Sequence, residues 1–258
     1  MLSKFQKMLR QRLNRETLYS TAAYWDSKAS EFKSGDDASM WPNSSLNRLY
    51  DAEQKAKIAQ LLGKIVPHTV LLDIGCGTGR MSRWFAEQST EVTGIDFSFS
   101  ALQIAQQRTS DNNPVYRHVS IFEFSEEACY DMAFTWGCLT VACQHRAQLL
   151  EAFLRIRRAL KPEGSLLLME PVHRGFLHRV LNMDLPEFIE TMKEAGFEVT
   201  RKAPLHFWPM RLLLCYVPLP MWITRPLYHC GQFLMRMPGL SGLGDYWVML
   251  AHPVGETK

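Results

Sequence analysis

The sequence predicts an α/β fold in which parallel strands alternate with helices. Three observations support this: short apolar segments alternate with helical ones from residue 69 onward, a glycine-rich turn follows the first apolar segment, and an aspartate ends the second. Strand, helix and strand repeated in this way require a parallel sheet with right-handed crossovers and helices on both faces. Because 258 residues with 47% hydrophobic and 21% charged side chains can bury a full core, we expect a globular protein with one large domain.

The predicted elements follow from apolar periodicity and from helix start and stop signals. A helix over Arg146 to Leu160 has one apolar face, carries basic residues in its last turn and is stopped before Gly164. A further helix begins after the N-cap Asp184 and ends before Gly196. The predicted strands, in chain order, are Val70 to Ile74, Glu91 to Ile95, Val115 to Val119, Asp131 to Phe134, Ser165 to Met169, Phe197 to Lys202 and Tyr246 to Ala251.

Three alternate glycines lie where the first strand meets the first helix. Residues 71–80 read Leu-Leu-Asp-Ile-Gly-Cys-Gly-Thr-Gly-Arg, which places Gly75, Gly77 and Gly79 where a ligand can approach the backbone. A P-loop requires GxxxxGK[ST] and a dinucleotide fingerprint requires GxGxxG, and this segment meets neither pattern. Asp96 ends the second strand, where a carboxylate can accept both ribose hydroxyls of an adenosine group. We therefore expect an adenosine-type ligand; a tight turn without a ligand is the less favoured alternative.

At these residues the sequence resembles the class I S-adenosylmethionine-dependent methyltransferases. The resemblance covers roughly residues 70 to 170, and includes Gly94-Ile95-Asp96-Phe97-Ser98 and the turn Leu160-Lys161-Pro162-Glu163-Gly164. It implies a Rossmann-like, doubly wound sheet of seven strands that is mostly parallel, with an antiparallel last strand. It also implies an enzyme whose cofactor is S-adenosyl-L-methionine, and no metal is expected.

The resemblance further implies a role for each site residue. The three glycines would approach the methionine part of the cofactor, Asp73 would help to hold its amino group, and Asp96 would hold the ribose. Ser120 stands where many relatives carry an aspartate, and its hydroxyl can still hydrogen-bond the adenine amine. Trp136 and Gly137 would lie near the transferred methyl group. The predicted cofactor-binding residues are Asp73, Gly75, Gly77, Gly79, Asp96, Phe97, Ser120, Ile121, Trp136 and Gly137.

Two residues just past the fifth strand are candidates for the general base that a phenol or thiol acceptor requires. Glu170 and His173 lie beside the predicted crevice, so we expect one of them to be catalytic. The alternative is structural: Glu170 would pair with a nearby arginine such as Arg174 or cap a turn, and His173 would be a partly exposed helix residue. His145, after the fourth strand, is a weaker third candidate.

Two segments combine basic and apolar side chains. The first twenty residues hold five basic residues and one acidic residue, with leucines at helical spacing, which predicts a basic amphipathic helix over residues 1–20. Residues 21–258 would form the domain, with an insert at about 203–244 that carries no acidic residue. Its longest uncharged run has 13 residues, too few to span a bilayer. Both segments fit contact with an anionic membrane surface, although the insert could instead cover the chain's own sheet or form a dimer contact.

The sequence thus predicts a methyltransferase that acts on a hydrophobic or lipid-like small molecule at a membrane surface. A soluble small-molecule tailoring methyltransferase and a non-catalytic ligand-binding protein of the same fold remain alternatives. A nucleic-acid substrate is not expected, because 29 basic residues nearly balance 26 acidic ones and no Asn-Pro-Pro-Tyr element follows the fourth strand.

The cysteine pattern and the charges near the N-terminus predict where the protein is located. Six cysteines without a CxxC pair, and charges that interrupt every apolar run near the N-terminus, favour a cytoplasmic protein, either free or peripheral on the inner face of a membrane.

A weaker likeness, to the quinone-biosynthesis O-methyltransferases, lies in Trp25-Asp26, Phe32-Lys33 and Asn47-Arg48-Leu49.

Overall fold

The structure, a computed structural model, describes residues 14–31, 41, 43–63, 66–88 and 90–255. Within these residues, seven strands form one sheet in the order β3-β2-β1-β4-β5-β7-β6. Only β7 runs antiparallel to its neighbours in this sheet. The predicted seven-stranded, mostly parallel sheet with an antiparallel last strand is therefore confirmed. The strands are β1 (Val70–Ile74), β2 (Glu91–Asp96), β3 (Val115–His118), β4 (Tyr130–Trp136), β5 (Leu160–Glu170), β6 (Phe197–Phe207) and β7 (Gly244–Pro253).

Helices cover both faces of this sheet. Polar caps start several of them: Ser98 Oγ accepts from Ala101 N, and Asp184 Oδ1 accepts from Glu187 N at 3.1 Å. The helices are α1 (Arg15–Leu18), α2 (Ala22–Glu31), α3 (Ser44–Leu62), α4 (Arg80–Ala86), α5 (Phe99–Gln107), α6 (Leu139–Ala142), α7 (Arg146–Ala159), α8 (Leu185–Glu194), α9 (Trp208–Leu214) and α10 (Met221–Met235). Of the predicted N-terminal amphipathic helix, residues 1–13 lie outside the described residues.

The core is divided between the two faces because successive strand residues point in opposite directions. Leu166 and Leu168 of β5 pack into one cluster together with Phe153 of α7. Leu167 packs into the other cluster, which contains Phe134. This alternation leaves the sheet buried on both sides, as a parallel sheet requires.

The last two strands are longer than the sequence predicted. β6 and β7 pair from Phe197 opposite Pro253 to Phe207 opposite Gly244, with one register shift between Val199 and Arg201. The segment between them therefore runs from 208 to 243. β6 extends beyond the alternating apolar pattern because its backbone hydrogen-bonds to β7. This pairing does not depend on alternating apolar side chains.

The segment between β6 and β7 is attached to the N-terminal cover helix α3. Leu46 and Tyr50 of α3 share an apolar cluster with Leu214 and Tyr228. Asn43 Nδ2, just before α3, donates to the carbonyl oxygen of Leu214 at 3.1 Å. Part of this insert thus covers the chain itself.

Candidate active site

The glycine turn after β1 is built to leave backbone exposed at one point. Gly75, Gly77 and Gly79 have φ angles of +68°, +55° and +76°, a region that favours glycine. A Cβ atom on Gly75 would lie 2.4 Å from Cys138 Sγ, and one on Gly79 would lie 2.3 Å from the Tyr116 hydroxyl. A Cβ on Gly77 would meet nothing within 4 Å. The turn is therefore packed at both ends and open at Gly77, as a ligand cradle would be.

Asp96 joins this turn to the end of β2. Its Oδ2 accepts a hydrogen bond from Gly77 N at 2.8 Å, and its Oδ1 accepts one from Ser98 N at 2.8 Å. Burial raises the pKa of this carboxyl group. A carboxylate offers about four acceptor positions, so each oxygen keeps capacity for a hydroxyl donor. The arrangement fits the two hydroxyl groups of a ribose.

Asp73 lies deeper, within β1. Ser82 Oγ donates to its Oδ2. Burial raises the pKa of Asp73 to about 7, against the opposing effects of Ser82 and Arg80. An approaching ammonium group would favour the ionised form of this carboxyl.

The remaining predicted cofactor residues gather at neighbouring strand ends. Val119 N donates to the Asp96 carbonyl at 3.1 Å, which places the segment holding Ser120 and Ile121 beside β2. Ser120 Oγ accepts from Phe122 N at 3.3 Å and still has a proton to donate. The Phe97 carbonyl lies 3.0 Å from His118 Nε2.

Trp136 and Gly137 lie at the carboxyl end of β4. Gly137 has a φ of +59° and donates its N–H to the Met169 carbonyl at 2.8 Å. The Arg80 guanidinium lies over the Trp136 ring, 4.5 Å from its centroid. In doubly wound folds, ligands bind in the crevice outside the carboxyl ends of the strands, and the predicted residues meet there.

Glu170 has the geometry of a structural residue, which argues against its predicted role as general base. Both oxygens of its fully buried carboxylate are occupied by the turn that follows β4. Its Oε1 accepts from Thr135 Oγ1 (3.0 Å), Cys138 N (3.0 Å) and Leu139 N (3.1 Å), and its Oε2 accepts from Thr140 N (3.1 Å) and Thr140 Oγ1 (2.8 Å). The expected pairing with Arg174 is wrong, because Arg174 pairs with Asp184 and Glu187.

His173 belongs to a buried charge cluster rather than to an exposed helix face. Its Nε2 lies 2.8 Å from the carbonyl oxygen and 3.2 Å from Oδ1 of Asp245, the second residue of β7. Asp245 also pairs with Arg179 and Arg211, at 3.3 Å and 2.8 Å. His145 caps α7, with Nδ1 accepting from Gln148 N at 3.4 Å. Glu170 and His145 are therefore committed to backbone donors of neighbouring turns, whereas His173 is oriented by Asp245 through Nε2, and its role as a general base stays a prediction.

Sequence reasoning missed an aromatic cavity that shares Trp136 with the crevice. The ring of His206 stacks on Tyr50, with centroids 3.9 Å apart and an angle of 11° between the ring planes. His206 has a φ of +58°, and burial lowers its pKa to about 3. The aromatic cavity has a volume of about 10 Å³, room for about one water molecule, and is lined by Trp41, Tyr50, Gln54, Trp136, His206, Arg211 and Tyr246.

The available sequence signals for this cavity were indirect. Four elements, α3, β6, α9 and β7, supply most of its lining, and only the fold brings them together. The sequence has an aromatic-rich stretch at 24–50 and an insert without acidic residues, but neither pattern indicates that the two segments meet. No periodicity links positions so far apart.

Comparison with known proteins supports the family. Residues 71–164 match the family model described as a methyltransferase domain. The ubiquinone biosynthesis O-methyltransferase of Actinobacillus pleuropneumoniae serotype 5b is 31% identical over 171 residues, which are 64% of this chain and 61% of that protein. The malonyl-[acyl-carrier protein] O-methyltransferase of Salmonella typhimurium is 34% identical over 94 residues, 36% of each chain. This chain thus spans less than two thirds of both relatives, and the weaker likeness to quinone-biosynthesis enzymes is confirmed.

Solved structures agree on the fold. The magnesium protoporphyrin IX methyltransferase of Synechocystis PCC 6803, solved with bound S-adenosylmethionine, has a TM-score of 0.61 at 13% identity, covering 92% of this chain and 96% of that one. The open backbone at Gly77 and the spare acceptor capacity of Asp96 fit that cofactor. The glycine turn, the strand order and these matches together support a class I S-adenosylmethionine-dependent methyltransferase domain in this chain.

Proposed function

We propose that this protein transfers a methyl group from S-adenosylmethionine to a hydrophobic small molecule, while the insert contacts a membrane surface. The observation that carries this proposal is the crevice beyond the strand ends, where the open backbone at Gly77 and the spare acceptor capacity of Asp96 suit the cofactor. The insert adds exposed apolar side chains and has no acidic residue. When bound, the cofactor supplies an electrophilic methyl group on a sulfonium. The matches to methyltransferases disfavour the non-catalytic alternative.

The cofactor residues keep their proposed roles. Asp96 holds the ribose hydroxyls, Gly77 allows close approach of the cofactor, and Asp73 attracts its ammonium group. Trp136 and Tyr246, whose stacked rings have centroids 6.4 Å apart, close the acceptor side against water. Alignment of acceptor and methyl group contributes up to about 7–11 kcal/mol in such reactions, and these two rings would border the path of the acceptor.

Replacing Asp96 by alanine is expected to weaken cofactor binding about ten- to a hundredfold, since hydrogen bonds to a charged group contribute about 1.5–3 kcal/mol. Calorimetric titration with S-adenosylhomocysteine measures this effect. The exposed Asp111 provides the matched control, and its alanine variant should bind like wild type. Because Asp96 also accepts from Gly77 N and Ser98 N, circular dichroism must show that the variant is folded. An unchanged dissociation constant in a folded variant would remove the ribose assignment.

The membrane part of the proposal rests on apolar side chains that the insert leaves exposed. Trp222 is 77% exposed and Phe233 is 65% exposed, and helical spacing places both on one face of α10. Leu213 of α9 is 61% exposed. Arg225 of α10 and Arg236, which caps its C-terminus, are also exposed, and no acidic residue occurs in the insert. Aromatic and basic side chains without acids are typical of interfacial segments. No described helix is long and apolar enough to span a bilayer.

A double variant, Trp222→Ser with Phe233→Ser, is expected to lose binding to anionic vesicles by about tenfold or more, because each aromatic contributes about 1.5–3 kcal/mol when buried. Flotation at two salt concentrations, with neutral vesicles for comparison, measures the loss. Leu154→Ser removes an exposed apolar residue from α7, outside the insert, and should bind as wild type does. Removal of residues 1–18 tests the basic leader separately. If wild-type protein ignores anionic vesicles at low salt, the soluble tailoring enzyme becomes the better proposal.

The activity itself is tested with methyl-labelled S-adenosylmethionine and a membrane lipid extract. Label is expected in a product that partitions into organic solvent, and the Asp96→Ala variant at equal concentration should show far less of it. Label that appears only in water-soluble products from a cytosolic extract would instead support the tailoring enzyme.

A further inference from the structure

The N-terminal segment, residues 15–31, is attached to the turn after β2 through a carboxylate. Asp26 of α2 accepts two hydrogen bonds with its Oδ1, from Ser98 Oγ at 2.6 Å and from Ser100 N at 3.0 Å. Hydrogen bonds to an ionised acceptor are about twice as strong as neutral ones. Ser98 lowers the pKa of Asp26 against the opposing effect of burial, so the carboxylate is ionised at neutral pH. α2 also packs along α5.

Ser98 connects this attachment to the proposed ribose ligand. Its N–H donates to Asp96 Oδ1 at 2.8 Å, while its hydroxyl donates to Asp26. The same hydroxyl oxygen accepts from Ala101 N at 3.2 Å and so caps α5. Because the hydroxyl proton points to Asp26, the lone pairs remain free to accept from the helix. Asp26 thus helps to fix the turn that holds Asp96.

The other end of the segment reaches the far side of the crevice. Burial alone would lower the pKa of Arg179, but Asp245 and weaker contributions, including that of Tyr19, raise it. The Tyr19 hydroxyl therefore lies near Arg179, which follows β5. In the sheet, β1 and β4 lie between β2 and β5. A segment that is held after β2 and reaches the region after β5 crosses the ends of these two strands, where Gly77 and Gly137 lie.

The segment is held together by its own aromatic rings but buries little against the rest of the chain. Trp25 Nε1 donates to the Tyr19 carbonyl at 2.7 Å, and the ring centroids of Tyr19, Tyr24 and Trp25 lie between 4.9 and 5.9 Å apart. Among the side chains of residues 15–31 that the structure describes, Ala29 alone is buried. Segments with few buried apolar contacts open at a small cost in free energy. This segment can therefore move as one unit.

We propose that residues 15–31 form a lid over the cofactor crevice, and that Asp26 is the positioning residue that holds this lid closed on Ser98 and Ser100. The cofactor enters or leaves when these hydrogen bonds open, and the closed lid excludes water during methyl transfer. The rates of binding and of release therefore both depend on how often the lid is open. This inference goes beyond the proposed function, because it concerns the cofactor and requires neither the acceptor nor the membrane surface.

The rates at which S-adenosylhomocysteine binds to and leaves the full chain, measured by stopped-flow fluorescence, test the lid. In Asp26→Ala we expect both rate constants to rise about tenfold or more, because a lid without these bonds is open for a larger fraction of the time. The dissociation constant should then change much less than either rate. A structural defect of the site would speed release without speeding binding, so faster binding is the diagnostic result.

Two further variants serve as controls. Asp26→Asn keeps an acceptor oxygen but removes the charge, so both rates should lie between those of wild type and Asp26→Ala. This variant also carries the comparison if circular dichroism shows that Asp26→Ala is not folded. Asp111→Ala removes an exposed carboxylate outside the segment and should show wild-type rates.

Amide hydrogen exchange in peptides from residues 15–31 gives a second readout. Saturating S-adenosylhomocysteine is expected to slow exchange there in wild type, because the lid closes over the ligand, and Asp26→Ala is expected to exchange faster than wild type. Unchanged exchange on addition of S-adenosylhomocysteine would place the segment away from the cofactor and overturn the proposal.

The outcomes separate the lid from the proposed function. Faster release with slower or unchanged binding in the folded Asp26 variants would show that Asp26 supports the site without gating it, and would overturn the lid. Wild-type rates in both variants would overturn the lid alone. If the wild-type protein bound no S-adenosylhomocysteine, the lid and the proposed function would both be refuted.

Discussion

Replacing Asp245 by asparagine is expected to lower the free energy of unfolding by about 3–5 kcal/mol, which is the usual effect of removing one partner from a buried ion pair. The carboxylate is fully buried and lies within 3.3 Å of a nitrogen of Arg179, Arg211 and His173. Without its charge, two guanidinium groups remain close together with no counterion. Urea denaturation, analysed at constant slope, measures the change.

The surface pair between Arg146 and Glu194 provides the control. Its nitrogen and oxygen are 2.6 Å apart, but the two side chains are 39% and 46% exposed. Glu194→Gln should therefore cost less than about 1 kcal/mol. A similarly small loss in Asp245→Asn would show that the buried cluster is not held by this carboxylate.

The pH dependence of this contribution follows from the pKa of Asp245. Burial alone would raise it, but Arg179 and Arg211 lower it well below its ordinary range. A carboxyl with a depressed pKa stabilises the fold above its unfolded pKa and loses that contribution only as the pH falls through the folded value. The difference in stability between wild type and Asp245→Asn should therefore persist from neutral pH down to about pH 4.

Glu170→Gln is expected to destabilise the fold by about 2–4 kcal/mol. The NH₂ group of the glutamine would face backbone N–H donors whose hydrogen bonds the carboxylate accepts. On whichever side the amide nitrogen lies, it faces the N–H of Thr140 or those of Cys138 and Leu139. The same turn places Cys138 against Gly75. Cofactor affinity should therefore fall together with stability.

This outcome distinguishes a positioning residue from a catalytic one. A general base contributes about 10²–10⁴ to the rate without holding the fold, so a stable variant with full cofactor affinity and slow turnover would restore Glu170 as the base. The exposed Glu190 of α8 is the matched control, and its glutamine variant should change stability by less than about 0.5 kcal/mol. Denaturation and titration with S-adenosylhomocysteine supply both readouts.

Much of the sheet could be predicted from local patterns. β1 has the predicted bounds, and β2 differs by one residue, because both are apolar runs bounded by turn residues. β5 begins at Leu160 instead of Ser165. The sequence predicts a helix stop and a turn over Lys161 to Gly164, whereas Leu160 pairs with Tyr130 before a register shift. Such long-range pairing leaves no local signature.

The two sides of the candidate site differ in how far the sequence could predict them. The proposed cofactor residues follow strand ends at short spacing, so a motif and its neighbours are enough to place them together. Arg211, His206 and Tyr50 instead meet from three distant elements. Their packing around one small cavity is a property of the folded chain only. Glu170 is the opposite case. Its position at a strand end predicts a general base, but in the folded chain its carboxylate accepts five hydrogen bonds.

The order of the last two strands has a consequence for biosynthesis. β6 emerges from the ribosome before β7, yet β7 lies between β5 and β6 and is the partner of both. Until the insert and residues 244–253 have been translated, β5 therefore has an open edge that can pair with other chains. Asp245 arrives with the same strand, so the buried guanidinium groups also lack their counterion during that interval. A translational pause within the insert would prolong the period in which this edge is exposed and prone to aggregation.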